Sequence, residues 1–174
     1  MDQQQLRKLL EDVRTGDVPI DSAIDRMRHM PFEDLGFAKV DHHRALRCGM
    51  PEVVFGKGKT PHQIVTIAEH LLDRSGNVLV TRAEPEAAEA LRARFDDAEY
   101  FPLSKCLRVW RDKTVHGKGK LAVVCAGTSD LFVAEEAFVT AEIMGNDCFQ
   151  IHDIGVAGIH RLMSNRERLT EARV

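Results

Sequence analysis

Two stretches of this chain concentrate side chains that could do chemistry. Residues 36–60 hold Lys39, Arg44, Arg47, Lys57 and Lys59 against Asp41 and Glu52, a local net of +3, together with His42 and His43. A cationic segment of this kind suits an anionic small molecule, and a solvated charged face has the same composition. The second stretch is Ala126-Gly127-Thr128-Ser129-Asp130, which joins an apolar run to a helical one. A strand feeding a helix there presents unpaired N–H groups and the positive end of the helix dipole. Gly127 admits a close ligand, and Thr128 and Ser129 add hydroxyl donors, so a phosphate fits. An ordinary helix capped by Ser129 or Asp130 fits as well. Further on, Gly158-Ile159-His160-Arg161 supplies an imidazole able to move a proton at neutral pH and a guanidinium able to pair with a carboxylate or phosphate. A surface His and Arg at a helix start is the plainer reading.

Two other patterns fail as motifs. Gly58-Lys59-Thr60 has the ending of a P-loop, but Val53 stands where its first glycine is required. Asp41-His42-His43 has metal-ligand types, yet adjacent side chains on a strand face opposite ways. Cys48, Cys106, Cys125 and Cys148 are far apart with no CxxC pair, so neither a zinc ribbon nor a disulfide framework is indicated, and a reducing cytoplasm suits them.

Whole-chain composition narrows the classes. The chain has 174 residues, 44% hydrophobic and 29% charged, within the globular range. Lys plus Arg is 24 and Asp plus Glu is 27, a formal charge of −3, which argues against nucleic-acid coating. Residues 1–35 are themselves acidic, with five basic and eight acidic side chains. No run approaches the roughly 18 apolar residues of a membrane span. Residues 1–10 lack the apolar centre of a secretory signal.

The elements that must position these residues read as follows. Leu6, Leu9, Leu10 and Val13 mark a core-facing helix stopped by Gly16. Asp21 caps a second, with Ala23, Ile24 and Met27 on its apolar face, stopped near Pro31. Residues 37–41 and 51–55 suit strands, with a loop or single helical turn over 42–49. Thr60-Pro61 starts a helix carrying Ile64, Ile67, Ala68, Leu71 and Leu72, stopped by Gly76. A strand over 77–81, a helix from Pro85 and one extended segment over 98–110, broken by Pro102, follow, an α/β layout. The polar 111–120 marks a domain boundary, giving domains 1–117 and 118–174. Leu121–Ala126 reads as a buried parallel strand, 131–144 as a helix, 149–154 as the next strand and 160–172 as a polar helix. The expected fold is therefore a small N-terminal α/β domain followed by an incomplete flavodoxin-like doubly wound parallel-sheet domain.

The strings Gly36-Phe37-Ala38-Lys39-Val40-Asp41-His42-His43-Arg44, Arg47-Cys48-Gly49-Met50-Pro51-Glu52-Val53-Val54-Phe55-Gly56 and Gly58-Lys59-Thr60 resemble the N-terminal signature of the LarB family. Residues 125–130 and 156–161 resemble its C-terminal domain, itself similar to aminoimidazole ribonucleotide carboxylase. The resemblance implies an enzyme that carboxylates nicotinic acid adenine dinucleotide at ring carbon C5 and releases AMP. The product would be pyridinium-3,5-biscarboxylic acid mononucleotide, the first intermediate of the nickel-pincer cofactor. CO2 or bicarbonate would be co-substrate, magnesium the candidate assisting ion, and a homo-oligomer, an octamer in relatives, the assembly. No nucleic-acid or membrane partner is implied. Lys39, Asp41, Arg44, Arg47, Glu52, Gly127, Thr128, Ser129 and Arg161 become the expected substrate contacts. His160 and Asp130 become the expected catalytic groups. A purine-type aminoimidazole ribonucleotide carboxylase is the alternative, and an inactive dinucleotide-binding module another.

In that family a cysteine thiolate adds to the pyridinium ring, and it lies in a later segment with a Gly-Met-Glu-Gly-Ala-Leu-Pro-like string. None of the four cysteines here occupies its position, so the chain is expected to be a truncated member. A third strand of the second domain is then expected just beyond Val174. One edge of Leu121–Ala126 would be left unpaired.

Overall fold

The computed structural model describes residues 3–28 and 32–174. Helices α1 (Gln3–Thr15) and α2 (Ile20–Arg28) pack on each other and bury Leu9 and Ala23. Neither helix enters the main core, and Leu10 and Ile24 are exposed, so these are not the core-facing helices expected. Asp21 lies inside the first turn of α2 rather than capping it. There its charge still complements the helix dipole. The stop expected at Pro31 lies outside the described residues.

Strands β1 (Glu33–Asp34) and β2 (Lys39–Val40) form a small antiparallel pair, with Glu33 opposite Val40. The turn over 42–49 becomes helix α3 (Arg44–Cys48), ended by left-handed Gly49. After β3 (Val53–Phe55), the start of α4 (Pro61–Leu72) is a full capping box. The Gln63 amide donates to Thr60 Oγ1 at 3.2 Å, and the Thr60 amide to Gln63 Oε1 at 3.0 Å.

Then come β4 (Asn77–Thr81) and α5 (Pro85–Arg94). The segment expected as one extended piece over 98–110 is instead a hairpin, β5 (Ala98–Phe101) and β6 (Cys106–Trp110). The chain reverses over Pro102–Lys105, with Lys105 in the left-handed region at φ 55°. Pro102 was legible as a break, but no Gly or Asn announced the reversal.

The four-stranded sheet has the order β3-β4-β6-β5, with β3 parallel to β4 and the other pairs antiparallel. Both faces are covered, which is why β4 reads as an unbroken apolar run. Val78 and Val80 of β4 and Leu107 and Val109 of β6 belong to one core with Ile64, Ala68 and Leu91 of α4 and α5. The alternate residues Leu79 and Cys106 pack with Val139 and Ile143 of a later helix.

That helix, α6 (Leu131–Ile143), lies between parallel strands β7 (Lys120–Val124) and β8 (Asp147–Ile151) in the chain and packs on them too. Helix α6 is thus shared by two sheets, consistent with apolar residues around its whole circumference. Arg108 of β6 reinforces the junction. Its guanidinium donates to Glu99 at 2.7 Å and Glu142 at 2.9 Å, and lies 4.9 Å and 4.3 Å from the ring centres of Phe101 and Trp110.

Three expectations about the last segment need correction. Strand β7 is half-buried rather than buried, because the second sheet is narrow and α6 covers only one face. Its far edge is not bare. The Arg173 amide donates to the Lys120 carbonyl and the Ala122 amide to the Val174 carbonyl, each at 2.8 Å, in a parallel bridge. This pairing covers only the start of that edge, at Lys120–Ala122, and the sheet itself remains two-stranded. The polar helix expected over 160–172 is two pieces, α7 (Ile159–Ser164) and α8 (Arg166–Thr170). Between them, the Asn165 side chain donates to the Arg161 carbonyl at 2.9 Å, local bonding that competes with the helix.

Candidate functional site

The cationic loop is built on its own hydrogen bonds. The Asp41 amide donates to Glu52 Oε2 at 2.6 Å, which fastens the loop entrance to the residue before β3. Asp41 then accepts the His43 amide at 3.0 Å and both ends of the Arg47 guanidinium, at 2.6 Å and 3.3 Å. This fork holds the Asp41 carboxyl below the ordinary aspartate range and raises Arg47 further. Of the expected substrate contacts, Asp41, Arg47 and Glu52 are thus brought together, and they are engaged with one another. Lys39 lies 3.8 Å from Asp34, with its ammonium 5.0 Å from the Phe32 ring centre. Arg44 is exposed at the start of α3. Among the described residues it has no hydrogen-bonded or ion-paired partner, so of Lys39, Arg44 and Arg47 it is the one left open to a ligand.

Beneath this loop lies a feature that sequence reading missed. His42 is buried, and its Nε2 lies 3.0 Å from Glu33 Oε2. Glu33 Oε1 lies 3.0 Å from Nδ1 of His70, on the last turn of α4. These hydrogen bonds, His42's foremost, hold the Glu33 carboxyl below its usual range against the opposing effect of burial. The spacing of 33, 42 and 70 carried no signal, because the pairing crosses a two-residue strand and a helix.

At the other candidate, Gly127 is extended and Thr128–Asp130 form one 3-10 turn leading into α6. Thr128, Ser129 and Asp130 are all exposed, and Ser129 Oγ donates weakly to Asp130 Oδ1 at 3.4 Å. Neither Ser129 nor Asp130 caps α6 through its side chain. The loop after β8 lies beside this one, since the Gly155 amide donates to the Ala126 carbonyl at 3.0 Å. His160 is exposed in the first turn of α7. Arg161 turns back to ion-pair with Asp153 and covers Gly158, where a Cβ would meet its guanidinium at 2.6–3.1 Å.

The fold sets these two groups at opposite ends. Glu135 and Glu136, near the start of α6, reach the Ser104 amide and Arg82, each at 2.8 Å. The start of α6 therefore sits at the carboxyl end of β4, as it does for β7 and β8. The Gly56 turn after β3 is at that same end, where its amide donates to the Thr81 carbonyl at 2.7 Å. A side chain at Gly56 would stand 3.0 Å from that carbonyl, so glycine allows the approach. The loop of Asp41, Arg44 and Arg47 is instead tied to Glu52, at the amino end of β3, and through Glu33 to the last turn of α4. No hydrogen bond or ion pair among the described residues joins it to residues 127–130 or 160–161. Arg82, Lys105 and Asp153, the non-glycine residues of positive φ, all lie at the carboxyl end, each in an ion pair. Strain of this kind persists only where the surroundings hold it.

Three of the four thiols are withdrawn from solvent to some degree. Burial pushes the Cys106 and Cys148 thiols up, and Cys125 is buried at the end of β7. Cys48 is exposed at the end of α3.

Residues 32–112 match the family of LarB/PurE-like N-terminal domains. The chain is also 34% identical over 176 residues to an uncharacterised protein of Methanocaldococcus jannaschii, covering 97% of this chain and 68% of that protein.

Proposed function

Since the chain belongs to the LarB family, a carboxylase-type relationship, we propose that it acts on nicotinic acid adenine dinucleotide, adding CO2 at C5 of the pyridinium ring and releasing AMP. The observation that carries this reading is the loop at 39–52. It lies inside the matched region, it is cationic, and it is prearranged by Asp41, Glu52 and Arg47 so that Arg44 stays open. An anionic dinucleotide is the substrate such a loop would draw into an acidic protein.

In this reading Arg44 and Lys39 take phosphate charge. Gly127, Thr128 and Ser129, at the opposite end of the same chain, supply amide and hydroxyl donors to a phosphate at the start of α6, so both groups serve one dinucleotide only where copies of a homo-oligomer bring them together. His160, exposed beside that loop, is the proton-transfer candidate, with Asp130 near the ribose and Arg161 behind Asp153. A pyridinium carbon is electrophilic, so a nucleophile must add before the ring can attack CO2. The resemblance puts the nucleophilic cysteine at a position that none of the four thiols here matches, and of these Cys48 alone is exposed in the 39–52 loop. Among the described residues no group of three or more His, Cys, Asp or Glu could hold a metal. Magnesium would then be held chiefly through the substrate phosphates rather than by a protein cage.

The placement of the thiols favours a second reading, a module that binds the dinucleotide without turning it over. One assay separates the two: the purified chain with the dinucleotide, bicarbonate and magnesium. AMP release with a gained carboxylate supports the enzyme, and saturable binding without product supports the module. If neither occurs but aminoimidazole ribonucleotide is carboxylated, the purine enzyme takes the place of both.

A further inference from the structure

We propose that Glu33 is the positioning residue of the cationic loop, a carboxylate that transmits the rigid placement of α4 to the residues that meet the ligand. The proposal rests on the reading of that loop as the dinucleotide site. Its ground is geometric. Each oxygen of one carboxylate takes one imidazole at 3.0 Å: Oε2 takes His42, and Oε1 takes His70. His70 belongs to the helix with the best-anchored start in the chain and with Ile64, Ile67, Ala68 and Leu71 in the core. His42 immediately follows Asp41, whose carboxylate holds Arg47, and it precedes Arg44 by two residues. His42 has a side-chain exposure of only 4%, so its ring has little room to find another setting.

The loop's other fastenings do not duplicate this link. Asp41 to Glu52, Asp41 to His43 and Asp41 to Arg47 all lie within residues 41–52. They shape the loop. Val40, just before it, packs with α4 in the core, and Glu33 adds a hydrogen-bonded tie to that helix from the β1 side; a substrate contact of its own is not required. Glutamine at this position keeps the size and one acceptor oxygen, but it offers the second imidazole an NH2 group and carries no charge.

The test compares Glu33→Gln and Arg44→Ala with the unaltered chain. Hydrogen exchange, the 15N shifts of the His42 ring and titration with nicotinic acid adenine dinucleotide are the readouts. The expected result for Glu33→Gln is at least tenfold faster exchange of amides 42–48 and a moved His42 ring signal. Amides 64–71 of α4 should stay as protected as before, and dinucleotide affinity should fall about tenfold. Unchanged loop exchange and an unchanged His42 signal overturn the proposal. A loosened loop with unchanged affinity also overturns it, provided Arg44→Ala does weaken binding. If Arg44→Ala and Glu33→Gln both leave affinity untouched, the dinucleotide reading of the loop fails, and the proposal falls with it. Should Glu33→Gln lower the stability of the whole chain, Glu33→Asp, which keeps the charge, must recover part of the affinity. No recovery overturns the positioning role.

Discussion

Among single residues, Arg44 and Arg47 look interchangeable in the sequence and are not. Arg47 spends its fork on Asp41, whereas Arg44 is open. Arg44→Ala should therefore weaken dinucleotide binding by about 1–3 kcal/mol with little change in thermal stability, as expected for a lost charged hydrogen bond. Equilibrium binding measures this, and equal affinity would return the segment to a solvated surface. Arg47→Ala acts differently, through Asp41. In the folded chain the Asp41 carboxyl sits below its ordinary value of 3.8, with the Arg47 hydrogen bond as the largest cause. A depressed carboxyl contributes stability that is present above its unfolded value and lost as pH falls through the folded one. The loop should thus hold at neutral pH and loosen only in acid below that range. A carboxyl 13C titration should show Asp41 moving back toward 3.8 in Arg47→Ala. Titration at the ordinary value in the unaltered chain would mean that the fork does not form in solution.

Among elements, the two helix starts at issue differ in how they satisfy their free amides. Helix α4 is closed by the reciprocal Thr60–Gln63 bonds and by Pro61, which lacks an amide proton. Thr60→Ala should cost about 1 kcal/mol, visible as a lowered melting temperature. No loss would mean that water or the glycine turn replaces the hydroxyl. The start of α6 has no side-chain cap, and its Thr128 and Ser129 hydroxyls face outward. An anion there would meet the same dipole with no side-chain cap in place, though beside the Asp130 carboxylate. Phosphate titration should shift the amide resonances of 128–131 at the start of α6 and spare those of 62–64 in α4. Equal response, or none, would remove the phosphate role from this loop.

Across the whole molecule, α6 joins two sheets that the polar stretch 111–120 separates in the chain. Leu79 and Cys106 of the first sheet are covered by Val139 and Ile143, and buried Arg108 finds Glu142 on the same helix. A fragment ending at residue 117 would expose that face and leave Arg108 with Glu99 alone, a costly arrangement for a half-desolvated charge. Such a fragment should melt well below the full chain and bind a hydrophobic dye. A cooperative melt at the full chain's temperature, without dye binding, would show that the first unit needs no cover.

Local sequence determined much of this protein. Thr60-Pro61 set a helix start, Asn77–Thr81 a strand to the residue, and residues 121–151 a β-α-β unit, because capping, β-branched runs and apolar periodicity act over a few neighbours. The signature strings carried the family, since they are long and specific. Tertiary structure decided what depends on distant partners. Pro102 showed a break but not a hairpin, because reversal direction is settled by pairing with β4. Ala172–Val174 bridges to β7 only because Lys120 lies beside it. The role of Glu33 was invisible, since a carboxylate's two oxygens find His42 and His70 only after the sheet and α4 have been brought together. The separation of the cationic loop from the 127–130 loop follows from strand direction, which no short stretch of residues encodes.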